Sequence, residues 1–464
     1  MTIRTVITMP TIEKRGKSYR VTVSNGYDIN GNQIRVNTTW KSAPGMTEKQ
    51  AEKEVHRYAI LFEDKVKSGQ FISGDIKFAE FAEKWFNEYA RSQLKATTLK
   101  RYSDCLIRIN QAIGHIKLSK LQPQHLNKFY LNLQEIGIRT DTKYKLVTDL
   151  KKELKERKIT QIELASSANL SESTVRSIAN NGNANRSSAE KICKALSIPF
   201  KELFVPADTE KPLNNATIRY YHSVISSILS TAVEWQVILF NPAERVKPPK
   251  IERKETEYLN EDETAVLLNC LENEPVLYKA LFTLMLYTGL RRGEACGLTW
   301  GDIDFKQGTV NINKSSLYLP QKGIFTDDTK TEMSRRVIKI PTAAVDVLKE
   351  YKKKQHLDRI KCGDRWKNSK QLFTTEDGAT LHPDAVSKHF RKFMAKNELR
   401  HIKLHALRHT NATLMIANGT DIKTVSKRLG HASITTTGNI YAHAIKSADE
   451  RAAEALDDIF KKQA

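Results

Sequence analysis

A multidomain, mainly α-helical chain with small β elements is what this sequence predicts, and three observations say so. With 464 residues the chain is too long for one hydrophobic core, and its length suggests two to four domains. From about residue 76 onward, apolar residues recur at helical spacing in segments opened by cap residues. Period-two alternation, the mark of half-buried strands, is confined to a stretch near the start and a short hairpin region in the last third. Hydrophobic residues make up 40% of the chain, a globular proportion too high for a disordered tail.

Charge narrows the class of partner. Lys and Arg number 75 against 53 Asp and Glu, a formal net charge of +22. Such a surplus points first to a polyanion, nucleic acid above all. An anionic membrane surface competes less well, because the basic residues spread along the chain rather than gathering on one amphipathic helix. No apolar run of about 18 residues offers a membrane span, and MTIRTVITMPTIEKRGKSYR lacks the apolar core of a secretory signal. Cys105, Cys193, Cys270, Cys296 and Cys362 lie far apart, with no CxxC and no His/Cys pairing. They read as reduced thiols in a cytosol, and no zinc site is visible.

In chain order, KSYRVTVSNGYDINGNQIRVNTTW alternates as two strands around a turn at Asn30-Gly31-Asn32. A helix is expected from 47 to about 67, which makes residues 1–70 a small α+β module. FAEFAEKWFNEYA follows as a helix, then TTLKRYSDCLIRINQAIG opening at Thr97-Thr98, then QPQHLNKFYLNLQEIG. A further helix is expected over 216–238, and together these make a helical domain over 74–246. NPAERVKPPKIERKETEYL, rich in proline and cations, reads as an interdomain linker lying against phosphate. Between the helices, residues 143–207 carry a set of short helices of their own. Thr160-Gln161 opens one, Ala168-Asn169-Leu170 turns, and Ser171 caps the next. Its apolar positions Leu154, Ile162, Leu164, Ala165, Val175, Ile178, Ile192, Leu196 and Phe204 suffice for a small independent core. Residues 247–464 form the last domain, in which helices alternate with the strand-like GTVNINKSSLYLP and RRVIKI.

The chemistry lies in that last domain. Breaking a phosphodiester without metal needs a nucleophile whose ester preserves the bond energy. It also needs forked guanidinium groups for the charge on the nonbridging oxygens, and a proton for the leaving 5′ oxygen. The sequence offers such a kit in order. TGLRRGEACGLTW places Arg291 after a Thr-Gly turn at a helix start, with Glu294 three residues on to hold it. Lys330 stands in DDTKTEMSRRVIKI, on the approach to a strand. HALRHT gives His405 and Arg408 at a helical i, i+3 spacing, so both project from one face. LGH supplies His431, and Tyr441 follows ten residues later in TTTGNIYAH. Singly, each has a plainer reading as a surface charge or a satisfied core histidine. Arg292 reads as a solvated charge and His409 as support for the fold. Lys322 and Lys339 compete with Lys330, and Tyr287 and Tyr318 with Tyr441.

Together, the TGLRxGE, TKT…SRR, HxLRH, LGH and tyrosine boxes resemble the tyrosine recombinase (phage integrase) family, closest to integrases of conjugative transposons. The resemblance is strong over 259–448 and weaker over 76–246. It implies that Arg291 and Arg408 clamp the scissile phosphate, Lys330 protonates the 5′ oxygen and His405 acts as acid/base. It further implies that His431 hydrogen-bonds a nonbridging oxygen and that Tyr441 forms a 3′-phosphotyrosine. A tyrosine with a pKa near 10 needs help to ionise, and the clustered cations are expected to supply it. By the same resemblance residues 1–70 are an arm-type DNA-binding domain, 74–246 the core-binding domain and 247–464 the mixed α/β catalytic domain. The 143–207 segment resembles a phage-repressor helix-turn-helix, its helix from Ser171 entering the major groove. That insertion departs from the family's pattern.

The expected activity is site-specific integration or excision of a mobile element, with no metal, nucleotide or other cofactor. Expected partners are double-stranded DNA at core and arm-type sites, further copies of the chain in a tetramer, an accessory excision factor, and no membrane. The expected setting is the bacterial cytoplasm. Two rivals remain: a type IB topoisomerase, and a DNA-binding regulator on the same fold. The regulator needs neither Tyr441 nor Lys330, and a topoisomerase would yield relaxed circles without recombinant joints.

Overall fold

The computed structural model describes residues 9–27, 31–67, 76–139, 142–207, 211–252, 256–328 and 335–441. The chain divides into two compact units, Met1–Glu252 and Arg253–Ala464. It is mainly helical with small sheets, as the periodicities predict.

The first unit holds three separate apolar cores. In the first, strands Thr11–Arg15, Ser18–Tyr27 and Gln33–Lys41 form an antiparallel sheet in sequence order. Alternation puts Tyr19, Val21 and Val23 on one face, where they pack on Ala51, Val55, Ala59, Phe62 and Val66 of helix Glu48–Lys67. The expected turn at Asn30-Gly31-Asn32 begins outside the described residues, and Gly31 adopts a positive φ of 81°.

The second core gathers helices Phe78–Trp85, Ala96–Ile113, Pro123–Leu133 and Asn215–Glu234. The last of these lies beyond the insertion in sequence but supplies Ile218, Val224, Ile225, Ile228 and Leu229 to the same cluster. The indole of Trp85, fully buried, donates to Thr231 Oγ1 at 3.0 Å, so the two sides of the insertion share a buried hydrogen bond. Three boundaries differ from expectation. The second helix starts at Ala96 after Lys95 rather than at Thr97-Thr98. The third ends at Leu133, so QEIG lies past its end. The fourth ends at Glu234, where Trp235 and Gln236 leave helical geometry and Gln236 takes φ 55°.

The third core is the insertion. Thr160 caps helix Gln161–Ser167 in a reciprocal capping box with Glu163, Asn169 turns the chain at φ 49°, and Ser171 caps helix Glu172–Ala179. Leu154, Leu164, Ala165, Val175, Ile178, Ile192, Leu196 and Phe204 are buried as expected. Ile162 is not: it is 58% exposed, because it falls on the outer face of its helix. The closure of the module was not legible as helix pattern. Strand Lys143–Leu146 pairs antiparallel with Phe204–Pro206 on one side and Ala184–Asn185 on the other. Ala207 N donates to Lys143 O at 2.7 Å, so the module begins and ends at one point.

In the second unit the helix Val276–Thr288 is apolar nearly all round, and Ala280 to Leu286 are buried without a break. Around it lie helices Glu261–Leu271, Thr342–Cys362, Pro383–Lys396 and Ala406–Ala417, with a small sheet of Ile303–Asp304, Thr309–Ile312 and Arg336–Lys339. A separate hairpin pairs Lys314–Leu319 with Gly323–Asp328. Among the described residues no helix is long and apolar enough to cross a membrane.

The shared end point of the insertion yields a prediction. Replacing residues 143–207 by a short Gly/Ser linker should leave a folded protein, since the 74–246 core is built by residues outside that segment. Thermal melting followed by circular dichroism should show a cooperative transition close to that of the full chain. A non-cooperative melt would mean that the insertion is part of that core's support.

Candidate active site

The site grows from the end of one helix and the start of the next. Helix Val276–Thr288 stops at Gly289, whose φ of 64° favours glycine. A Cβ there would also come within 2.5 Å of Leu429 Cδ2. Arg291 then caps helix Arg292–Gly297. Glu294 Oε2 accepts from Arg291 N at 3.0 Å and Oε1 from Arg291 Nη1 at 2.8 Å, so one carboxylate caps the helix and fixes the guanidinium. The side chain of Arg291 stays 40% exposed.

Glu294 has a second partner that sequence reasoning did not find. Arg336 Nη2 donates to Glu294 Oε2 at 2.8 Å, and Arg336 Nε to Arg428 O at 2.7 Å. Both members of this pair are buried, at 5% and 4% side-chain exposure. The available signal was alternation in RRVIKI, which turns Arg336 and Ile338 inward while Val337 and Lys339 face out. Burial alone would raise the pKa of Glu294, but Arg336 and then Arg291 outweigh it and hold the carboxyl below its ordinary value.

Arg408 is the most buried cation of the set, at 1% exposure. Its Nη1 donates to Gly289 O at 2.8 Å and its Nη2 to Leu429 O at 2.8 Å. These carbonyls end helices Val276–Thr288 and Ile422–Leu429, where helix dipoles favour a cation. Burial and the nearby Arg291 lower its pKa to about 9, which leaves it charged at neutral pH. His405 precedes helix Ala406–Ala417 and reaches solvent, yet desolvation, Arg408 and Arg291 lower its pKa. His431 follows Gly430, and its Nδ1 lies 2.8 Å from Thr437 Oγ1. Burial, Arg408 and Arg291 pull His431 down to about 4, so it is neutral.

Tyr441 follows helix Ile434–Ile440 and is fully buried among Ala412, Ile416, Val425 and Leu429. Its hydroxyl lies 2.9 Å from His409 Nδ1. Burial raises its pKa to about 12, with Arg408 and Arg291 pulling the other way. The clustered cations thus ease its ionisation in the expected direction, and desolvation outweighs them. Of the six sequence-predicted residues, Arg291, His405, Arg408, His431 and Tyr441 fall in one electrostatically connected cluster. Lys330 lies outside the described residues. The hairpin leading toward it packs against the Arg291 helix, where a Cβ on Gly293 would sit 2.4 Å from Ser315 Oγ. Arg292, expected to be a solvated charge, pairs with Asp384 at 2.8 Å. Among the described residues no group of three or more His, Cys, Asp or Glu side chains could hold a metal ion.

The fold is shared with a solved integrase. It matches the Tn1549 transposon integrase, solved with circular intermediate DNA, at a TM-score of 0.55 and 16% identity, over 82% of this chain and 99% of that one. Residues 257–448 match the phage integrase family model, 77–134 the phage integrase N-terminal SAM-like domain, and 149–208 the Cro/C1-type HTH DNA-binding domain. A XerC-like tyrosine recombinase of Caldanaerobacter subterraneus is 27% identical over 96% of this chain and 98% of its own length. The ICEBs1 integrase of Bacillus subtilis is 29% identical over 54% of this chain and 67% of its own. The chain belongs to the phage integrase family of tyrosine recombinases and is a DNA breaking-rejoining enzyme.

The shared carboxylate makes stability pH-dependent in a definite direction. Because the folded pKa of Glu294 is depressed, its contribution is present above the unfolded value of about 4.3 and is lost as pH falls through the folded value. Glu294→Gln should be less stable at neutral pH by about 3 kcal/mol, the scale for removing one partner of a buried pair. Its urea midpoint should fall less between pH 5 and pH 3 than that of the unaltered protein. Parallel pH curves would show that the carboxylate is not the tie.

Proposed function

We propose that Tyr441 attacks the scissile phosphate of double-stranded DNA and becomes joined to its 3′ side, while the 5′ oxygen leaves. The observation that carries this reading is the placement of the Tyr441 hydroxyl, 2.9 Å from His409 Nδ1 and within the electrostatic reach of Arg408 and Arg291, which both favour its ionisation. In it, Arg291 and Arg408 hold the nonbridging oxygens, where two forked cations match the charge that builds in the transition state. Two of Arg408's donors are fixed on backbone carbonyls, so its fork meets the phosphate already oriented. Lys330 protonates the leaving 5′ oxygen, His405 serves as acid/base, and His431, neutral and oriented by Thr437, donates to a nonbridging oxygen. None of these roles calls for a metal or a nucleotide.

The reading extends to assembly. Exchanging two duplexes means cutting four strands, one tyrosine each, which a tetramer supplies. Phosphotyrosine chemistry conserves bond energy, so direction comes from outside it, the place for an accessory excision factor. Residues 1–70 take arm-type sites and 74–246 with 247–464 the core site, in a bacterial cytoplasm. The 143–207 module adds a further major-groove contact through the helix capped by Ser171. The net charge of +22 suits this much phosphate contact.

Two substitutions test the chemistry. Tyr441→Phe should bind a core-site duplex normally and form no covalent complex on a denaturing gel; a persistent adduct would place the nucleophile elsewhere. Arg291→Ala should slow cleavage of bound DNA by on the order of 10²–10³, the scale for one lost transition-state donor. Affinity should change far less. A loss confined to affinity would move Arg291 out of the reacting centre.

A further inference from the structure

We propose that His409, and not His405, holds the Tyr441 hydroxyl and takes its proton as that oxygen attacks phosphorus, which confines the acid/base role of His405 to the oxygens of the phosphate; the inference rests on the reading of Tyr441 as nucleophile. The contact is direct, at 2.9 Å between His409 Nδ1 and Tyr441 Oη. Tyr441 is fully buried and His409 half-buried, so the bond is shielded from bulk water. For Nδ1 to accept, the imidazole carries its proton on Nε2.

The surroundings favour an acceptor. His405 and Arg408 face His409 from its own helix, His431 from the turn after Leu429, and Tyr441 from the end of helix Ile434–Ile440. The ring of His405 meets that of His409 edge-on, centroids 4.8 Å apart. These neighbours are cations or uncharged rings, which disfavour imidazolium and keep Nδ1 open. Desolvation, His405 and Arg408 pull His409 down to about 4, while Tyr441 stands at about 12. Transfer before attack is therefore strongly uphill, and the proton moves together with bond formation. As the Oη–P bond forms, the aryl oxygen loses its basicity and the phosphate's negative charge raises that of the imidazole. The P–O5′ bond breaks, its electron pair leaves on the 5′ oxygen, and that oxygen takes a proton from a separate donor. The Oη proton ends on Nδ1, and rejoining returns it. The half-buried ring of His409 was read from sequence as fold support; its contact with the reacting atom assigns it to catalysis.

The test uses the full chain and a nicked duplex carrying the end sequence of its own element, with covalent adduct as readout. His409→Asn keeps a polar atom near the Nδ1 position but cannot take a proton, and His409→Ala leaves room for added imidazole. Both should bind the duplex and melt as the unaltered protein does. Adduct formation at pH 7 should slow by on the order of 10²-fold or more, the scale for a lost general base. The variants' rates should climb with pH as ionised tyrosine replaces the assisted one, and imidazole should restore His409→Ala. A 5′-bridging sulfur, which needs no proton to leave, should restore neither variant. Unaltered rates overturn the proposal, as does rescue by the sulfur substrate, which would put His409 on the leaving-group side. A loss unmoved by pH and by imidazole also overturns it, leaving only a structural role. An adduct that survives in Tyr441→Phe would instead remove the reading of the nucleophile.

Discussion

The candidate site depends on one buried carboxylate. Glu294 binds Arg291 at a helix start and Arg336 on a strand, and Arg336 reaches on to the carbonyl of Arg428. Three segments distant in sequence are thereby tied at one point. Removing charges from water costs several kcal/mol per ion, so such a cluster contributes little net stability. What it supplies is position: with Glu294 capping the helix and gripping the guanidinium, Arg291 has little freedom left to lose on meeting a phosphate. Gly430, with φ 66°, belongs to the same constraint, because a Cβ there would stand 2.8 Å from Arg336 Nη1.

Arg408 uses a different device to the same end. Its fork is held by the terminal carbonyls of two helices, which need partners in any case. One buried side chain thus satisfies the backbone at Gly289 and Leu429 and carries a fixed charge into the cluster. The price is paid in pKa, lowered but still far above neutrality.

Much of this was legible in the sequence because it rests on local rules. The Thr-Gly stop before Arg291, the three-residue reach from Arg291 to Glu294, and the caps at Thr160 and Ser171 are spacing effects within one or two turns. The alternation that puts Tyr19, Val21 and Val23 inward is equally local. What escaped is tertiary. Arg336 finds Glu294 across 42 residues, and His409 finds Tyr441 across 32. The strand Lys143–Leu146 has its partner, Phe204–Pro206, at the far end of the insertion. Ile162 shows the limit from the other side: an apolar residue in a short helix carries too little periodicity to say which face it takes.

The cluster brings several cations close together. Arg291 and Arg336 share the carboxylate of Glu294, Arg408 rests on two backbone carbonyls, and each arginine lowers the pKa of a neighbouring histidine or arginine. Desolvation first, and then these charged neighbours, hold His409 and His431 down to about 4 each, so both are neutral at physiological pH. In the proposed reaction a scissile phosphate brings an anion to these cations. Its arrival would relieve the repulsion between the arginines and raise the basicity of the imidazoles. Desolvation holds Tyr441 protonated, at about 12. Because burial, not the arginines, holds the phenol protonated, and an anion beside it would oppose its ionisation further, what a bound phosphate would add is basicity at the imidazole that contacts Tyr441.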